Sequence, residues 1–133
     1  MTEYELSRPM PATTEIVFDT ASRVEELDRW LPDVLHVEPA GANRVHALVA
    51  GRKAEGLFRA DRDQLRLEWG AYGTDEYAGW LQVADSGAGA SEVTLHLSLL
   101  GADQPDTATV MHKAMAVALD RLAGEVTARN SSG

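Results

Sequence analysis

The hydrophobic pattern of the chain changes period twice. Tyr4, Leu6 and Met10 alternate with polar positions, the two-residue period of a strand, and Pro9 and Pro11 end it because proline donates nothing to a sheet ladder. Helical spacing follows. Thr13 or Thr14 can cap a short helix through Phe18 and Ala21, and Ser22-Arg23-Val24-Glu25 has the form of a capping box opening a second helix. Val24, Leu27, Trp30 and Leu31 share one side of that helix, and Pro32 stops it.

From Asp33 the period returns to two. Strands are predicted over Val34 to Glu38, Arg44 to Ala50, Lys53 to Ala60, Leu65 to Tyr72, Glu76 to Ala84 and Ser91 to Leu99. Turns fall at Ala40-Gly41-Ala42-Asn43, Gly51-Arg52, Asp61-Arg62-Asp63-Gln64 and Gly73-Thr74-Asp75, and Ser86 to Ala90 reads as a flexible loop. Asp106 to Ala128 is then one long helix with Met111, Met115, Ala118, Leu122 and Val126 on an apolar stripe and Lys113, Asp120 and Gly124 opposite. Residues 1–129 therefore read as a single α+β domain, with 130–133 as a flexible tail.

Turn lengths constrain which side chains share a face. With Leu65, Leu67 and Trp69 facing in, closing the next turn around Thr74 puts Tyr77, Gly79, Leu81 and Val83 on the same side. Val93, Leu95, Leu97 and Leu99 join them, as do Ala54, Gly56, Phe58 and Ala60, and Val45, Ala47 and Val49. Trp80 faces out. In this register Gly56 is expected beneath Trp69. The small inward residues leave volume that either the last helix or a ligand must fill. The inner face carries no ionisable group apart from Tyr77, with Arg8 a further basic candidate beside Pro9, so titrating groups for acid–base chemistry are scarce.

Composition removes several function classes. The net charge of -9 opposes nucleic acid and anionic membrane surfaces, which need clustered Lys and Arg. Cysteine is absent, which removes disulfides, thiol nucleophiles and thiolate metal sites. The acidic start Met1-Thr2-Glu3-Tyr4-Glu5 is unlike a signal peptide, and no apolar run approaches the ~20 residues of a membrane helix, so a cytoplasmic location is expected. His36, His46, His96 and His112 lack metal-ligand spacing, Asp61-Arg62-Asp63 lacks the remainder of a calcium loop, and Gly87-Ala88-Gly89 lacks the residues of a phosphate loop. No metal or cofactor is expected.

The first strand, the helix pair ending at Trp30-Leu31-Pro32, Leu65-Arg66-Leu67-Glu68-Trp69, Gly79-Trp80-Leu81, Ser91-Glu92-Val93-Thr94 and the long final helix resemble the START-like, birch-pollen-allergen (SRPBCC) superfamily, which includes small polyketide cyclase/dehydrase-like proteins. The resemblance implies a helix-grip fold, β-α-α-β6-α, in which a seven-stranded curved antiparallel sheet wraps the C-terminal helix. It also implies a mouth formed by Trp30 to Asp33, Ala50 to Arg52, Tyr72 to Glu76 and Gly101 to Asp106, with Trp69, Tyr77, Met111 and Met115 just inside.

Three readings follow. The first is a binding protein that holds a small hydrophobic or aromatic molecule, of polyketide, quinone or lipid type, against Trp69, Tyr77, Met111, Met115, Trp30 and Phe58. The second is a cyclase/aromatase/dehydratase-type enzyme with Tyr77 as proton donor and Arg8 or His112 as carbonyl partner. The third is a ligand-free regulatory or chaperone-type interaction domain, with outward Trp80 as the candidate homodimer or partner contact.

Overall fold

The structure is a computed structural model that describes residues 2–31, 35–41, 43–49, 52–71, 77–99 and 107–132. Its strands are β1 (Thr2–Met10), β2 (Leu35–Gly41), β3 (Arg44–Val49), β4 (Arg52–Asp61), β5 (Arg66–Ala71), β6 (Tyr77–Gly87) and β7 (Ala90–Leu99). Helix α1 (Thr14–Ser22) and a 3-10 helix (Val24–Arg29) follow β1, and α2 (Thr107–Ser132) ends the chain. All strands join one curved antiparallel sheet in the order β1-β7-β6-β5-β4-β3-β2, and α2 is gripped on its inner side: the helix-grip arrangement. No described helix is long and apolar enough to cross a membrane.

Alternation sets the inner face as expected. Leu67 lies opposite Leu81, and Leu81 opposite Leu95, all buried. Three contacts trace the path of α2, which runs alongside the edge strand β1. Tyr4 meets the His112 ring edge-on at 5.6 Å, Arg8 Nε lies 3.0 Å from Asp120 Oδ1, and Asn130 Nδ2 donates to the Pro11 carbonyl at 3.3 Å. The helix thus packs against the side chains that β1 turns inward. Met115, Ala118, Leu119, Leu122 and Val126 are buried beneath it.

Helix α1 closes one end of the grip. Val17, Phe18 and Ala21 are buried, Arg62 bonds Asp19 at 2.6 Å, and its guanidinium lies 5.2 Å from the centre of the Phe18 ring. Fully buried Ser91 donates from Oγ to the Ala12 carbonyl at 2.7 Å, tying β7 to the segment entering α1. Ser91→Ala strands that carbonyl and is expected to cost about 1–3 kcal/mol, read as a shift in the urea midpoint. An unchanged midpoint would mean that the bond adds nothing.

Several local expectations are corrected. Ser22 ends α1, and the next turn is a 3-10 helix capped by Arg23 without a side-chain bond, so the capping box does not form. Strand β2 runs on to Gly41, carrying Pro39 on a free sheet edge where its missing N–H costs no ladder bond. Arg52 pairs with Val49 and belongs to β4 instead of a turn. The segment Ser86 to Ala90 is no flexible loop: Ala88 (φ 54) and Gly89 (φ 78) close a two-residue hairpin in the left-handed region, and Asp85 Oδ1 accepts from the Gly87 N–H at 2.9 Å. Helix α2 extends to Ser132, so Asn130 is helical. Pro32, Gly51, the Gly73-Thr74-Asp75 turn and Gly101 to Pro105 lie outside the described residues, and with them most of the expected mouth.

Candidate functional site

Trp69 on β5 and Tyr77 on β6 are brought together at the end of the sheet opposite α1. The Trp69 indole Nε1–H donates to the Tyr77 hydroxyl oxygen at 2.9 Å. Both residues are partly buried, and both pack against the core from the inner face, as does Met111 near the start of α2. Burial pushes the Tyr77 phenol above its ordinary value, and the Trp69 bond offsets part of that rise, so the hydroxyl keeps its proton through neutral pH.

The indole lies against backbone. Trp69 pairs across strands with Gly79, and a Cβ there would come within 2.7 Å of the ring atoms Cε2 and Nε1. Absence of a side chain at Gly79 therefore lets the ring settle onto the sheet. The sequence register had expected Gly56 under Trp69. Phe58 stands opposite Trp69 on β4 instead, while Gly56 lies opposite Ala71, where an added Cβ would meet Val45 at 3.1 Å.

The remaining candidates separate. Phe58 is buried beside Trp69 in the ladder, and Met115, one turn along from Met111, is buried in the core. Trp30 caps the 3-10 helix and is also buried, and its indole N–H has no hydrogen-bond partner among the described residues. An unmet donor of this kind costs about 1–3 kcal/mol. His112 is exposed beside Tyr4, while Arg8 lies towards the α1 end with its guanidinium on Asp120. Neither His112 nor Arg8 makes a hydrogen bond or ring contact with Tyr77 among the described residues.

Two grooves flank α2. One, of about 310 Å³, is bordered by Trp30 with Glu26, Arg29, Glu125 and Arg129. Its charges are mutually engaged: Arg29 lies 3.0 Å from Glu26 and 3.6 Å from Glu125, and Arg129 lies 3.4 Å from Glu26. The other, of about 490 Å³, is bordered by Arg8, Pro9, Pro11, Asp120, Gly124 and Thr127. The first is polar and the second is an open surface groove of mixed lining that cannot enclose a ligand, so both suit a buried apolar ligand poorly.

On the outer face, Trp80 is enclosed. His96 stacks on the ring at 4.9 Å and the Arg66 guanidinium lies 4.4 Å from its centre. The His96 nitrogens lie 3.0 Å from Glu5 and 3.2 Å from Glu3, which links this stack to β1. No group of three or more His, Cys, Asp or Glu side chains able to hold a metal ion occurs among the described residues.

The family model described as polyketide cyclase/dehydrase and lipid transport matches residues 1–127. The chain belongs to this family. Solved structures share its fold at low identity. A START superfamily protein of Mycobacterium smegmatis superposes with a TM-score of 0.73 at 11% identity, over 94% of this chain and 97% of the other. A protein of Bacillus thuringiensis gives 0.76 at 14%, over 95% and 99%. The di-domain aromatase/cyclase BexL of the BE-7585A biosynthetic pathway gives 0.65 at 15%, over 98% of this chain and 47% of that one. No curated protein sequence matches. For this polyketide cyclase/dehydrase and lipid transport family member, the family and the fold support a ligand-binding or cyclase role.

Proposed function

We propose that the protein binds a small, flat, apolar molecule between the inner sheet face and the N-terminal part of α2. One observation carries this reading. Residues of β3 and β4 that point toward the inner side remain accessible: Ala54 and Ala60 are exposed, and Ala47 and Gly56 are only partly covered. Helix α2 lies along β1, at the far side of the sheet, and these small residues stay accessible although Val45 and Phe58 on the same face are buried. Small, accessible residues on a curved face leave room for a guest. Trp69, with one face on Gly79, offers a broad apolar surface beside that space, and Met111 supplies a side chain that adapts its shape.

The scarcity of titrating groups favours binding over catalysis. Apart from Tyr77, no ionisable side chain on the inner face of the described sheet stands next to Trp69, and a single neutral phenol offers an acid without a paired base.

Thermal-shift screening with flat aromatics, quinones and fatty acids, together with native mass spectrometry of the protein as purified, tests the reading. A ligand that prefers the folded state raises Tm. No retained molecule and no Tm shift from any of these classes would defeat it. A blocking variant adds a second arm. Ala54→Phe places a ring on the accessible inner surface, so it should abolish the ligand-induced Tm shift while changing the stability of the free protein by no more than about 0.5 kcal/mol. A full ligand response in Ala54→Phe would move the site elsewhere.

A further inference from the structure

The geometry points to a ligand that carries a hydrogen-bond-accepting carbonyl oxygen, of the aryl ketone or quinone type, seated with that oxygen on the Tyr77 hydroxyl. This rests on the binding reading above and narrows it. Hydrogen-bond direction decides the matter. An indole nitrogen has only a proton to give, so in the Trp69–Tyr77 pair Trp69 is the donor and the phenol oxygen the acceptor. The phenol's own proton is then free to be given, and it has no acceptor among the described residues. Tyr77 thus stands on a greasy inner face as a donor without an acceptor among the described residues, next to an aromatic ring fixed flat on Gly79.

Two further features suit a neutral acceptor. Its raised pKa keeps the phenol protonated, so it offers a donor at neutral pH instead of a negative charge. The bond it already accepts polarises the hydroxyl and makes it a better donor, as in any hydrogen-bonded chain. A carboxylate would also accept, but no cation is placed beside Trp69, Phe58 and Met111 among the described residues, and burying an unpaired charge is costly. The plain hydrocarbon end of a lipid would leave the donor unmet.

Fluorenone and fluorene test this, since they are flat, near-equal in size and differ by a carbonyl in place of a methylene. Their affinities are compared for the unmodified protein, Tyr77→Phe and Trp69→Phe. Tyr77→Phe should reduce fluorenone affinity relative to fluorene by roughly 3–10-fold, the ordinary net value of one hydrogen bond. The indole N–H freed by that change can donate to fluorenone and not to fluorene, so Tyr77→Phe is also made in the Trp69→Phe background, where this donor is absent. Trp69→Phe leaves the hydroxyl in place but removes the bond that polarises it, so it should weaken both ligands and lower their ratio only slightly. The carbonyl stretch of bound fluorenone should shift down in Trp69→Phe and not in the double variant. Equal ratios in Trp69→Phe and in the double variant Trp69→Phe/Tyr77→Phe, with binding intact, would overturn the carbonyl assignment and leave the binding reading standing. Failure of both molecules to bind the unmodified protein would overturn the two together.

Discussion

Gly79→Ala is expected to lower stability by about 1–3 kcal/mol, the usual cost of forcing an extra carbon into a packed site. The new methyl would come within 2.7 Å of Trp69 Cε2 and Nε1. The ring has no easy retreat, because its nitrogen is bonded to Tyr77 on one strand and its neighbour across the ladder is Phe58 on another. Lifting the indole breaks the Trp69–Tyr77 bond and tilts the ring into the space assigned to the ligand, so affinity for a flat ligand should fall together with stability. Urea denaturation and ligand titration of the same sample measure both effects. Gly124→Ala is the matching control. It lies on the exposed side of α2 with nothing within 4 Å of the added carbon, and there alanine should stabilise by about 0.5–1 kcal/mol through helix propensity. A Gly79→Ala protein as stable as the unmodified one, with full ligand affinity, would show that Trp69 is not held by the sheet.

The inner and outer faces were legible in the sequence because a two-residue period survives errors in turn position, each of which moves the register by an even number. Leu65 shows how. Its turn was read as Asp61 to Gln64, but Leu65 itself takes φ 54 and joins the turn, with Asp61 pairing Arg66. A leucine in the left-handed region is uncommon, and no sequence rule would choose it. Gln82 helps to hold it there, its Nε2 donating to the Gln64 carbonyl at 2.7 Å and to the Leu65 carbonyl at 3.2 Å. The turn keeps four residues but sits one residue later, at 62–65, which slides β4 along β5 by two and puts Phe58 opposite Trp69 where Gly56 is expected, yet every strand residue keeps its face. On the other side of β5, closing the turn around Thr74 already paired Trp69 with Gly79, so the glycine beneath the indole could have been found from that hairpin.

Side-chain chemistry was less legible. Alternation places Trp69 and Tyr77 on one face, but a donor–acceptor bond between them depends on rotamers that no pattern encodes. Trp80 was readable as outward but not as enclosed, since Arg66 and His96 reach it from neighbouring strands. Arg8 was a candidate for the interior because its phase is inward. It escapes by reaching along the edge strand to Asp120, a partner that becomes visible once α2 is known to run beside β1.

The position of α2 also predicts that its two ends do different work, and Leu122→Ala against Met111→Ala separates them. Leu122 is fully buried in the half of the core closed by β1 and α1. Its truncation leaves a cavity among fixed neighbours and should cost about 2–5 kcal/mol. Affinity per folded molecule should not change, because the lost atoms lie away from Trp69 and Tyr77. Met111 is partly exposed at the start of the helix, so truncation there removes fewer contacts, costs under about 1 kcal/mol and should weaken binding of a flat ligand. Denaturation midpoints and ligand affinities for the two variants should therefore move in opposite order. If Leu122→Ala loses ligand at temperatures where it is still folded, or Met111→Ala destabilises as much as Leu122→Ala, then α2 is packed evenly along its length and the space beside Trp69 is core.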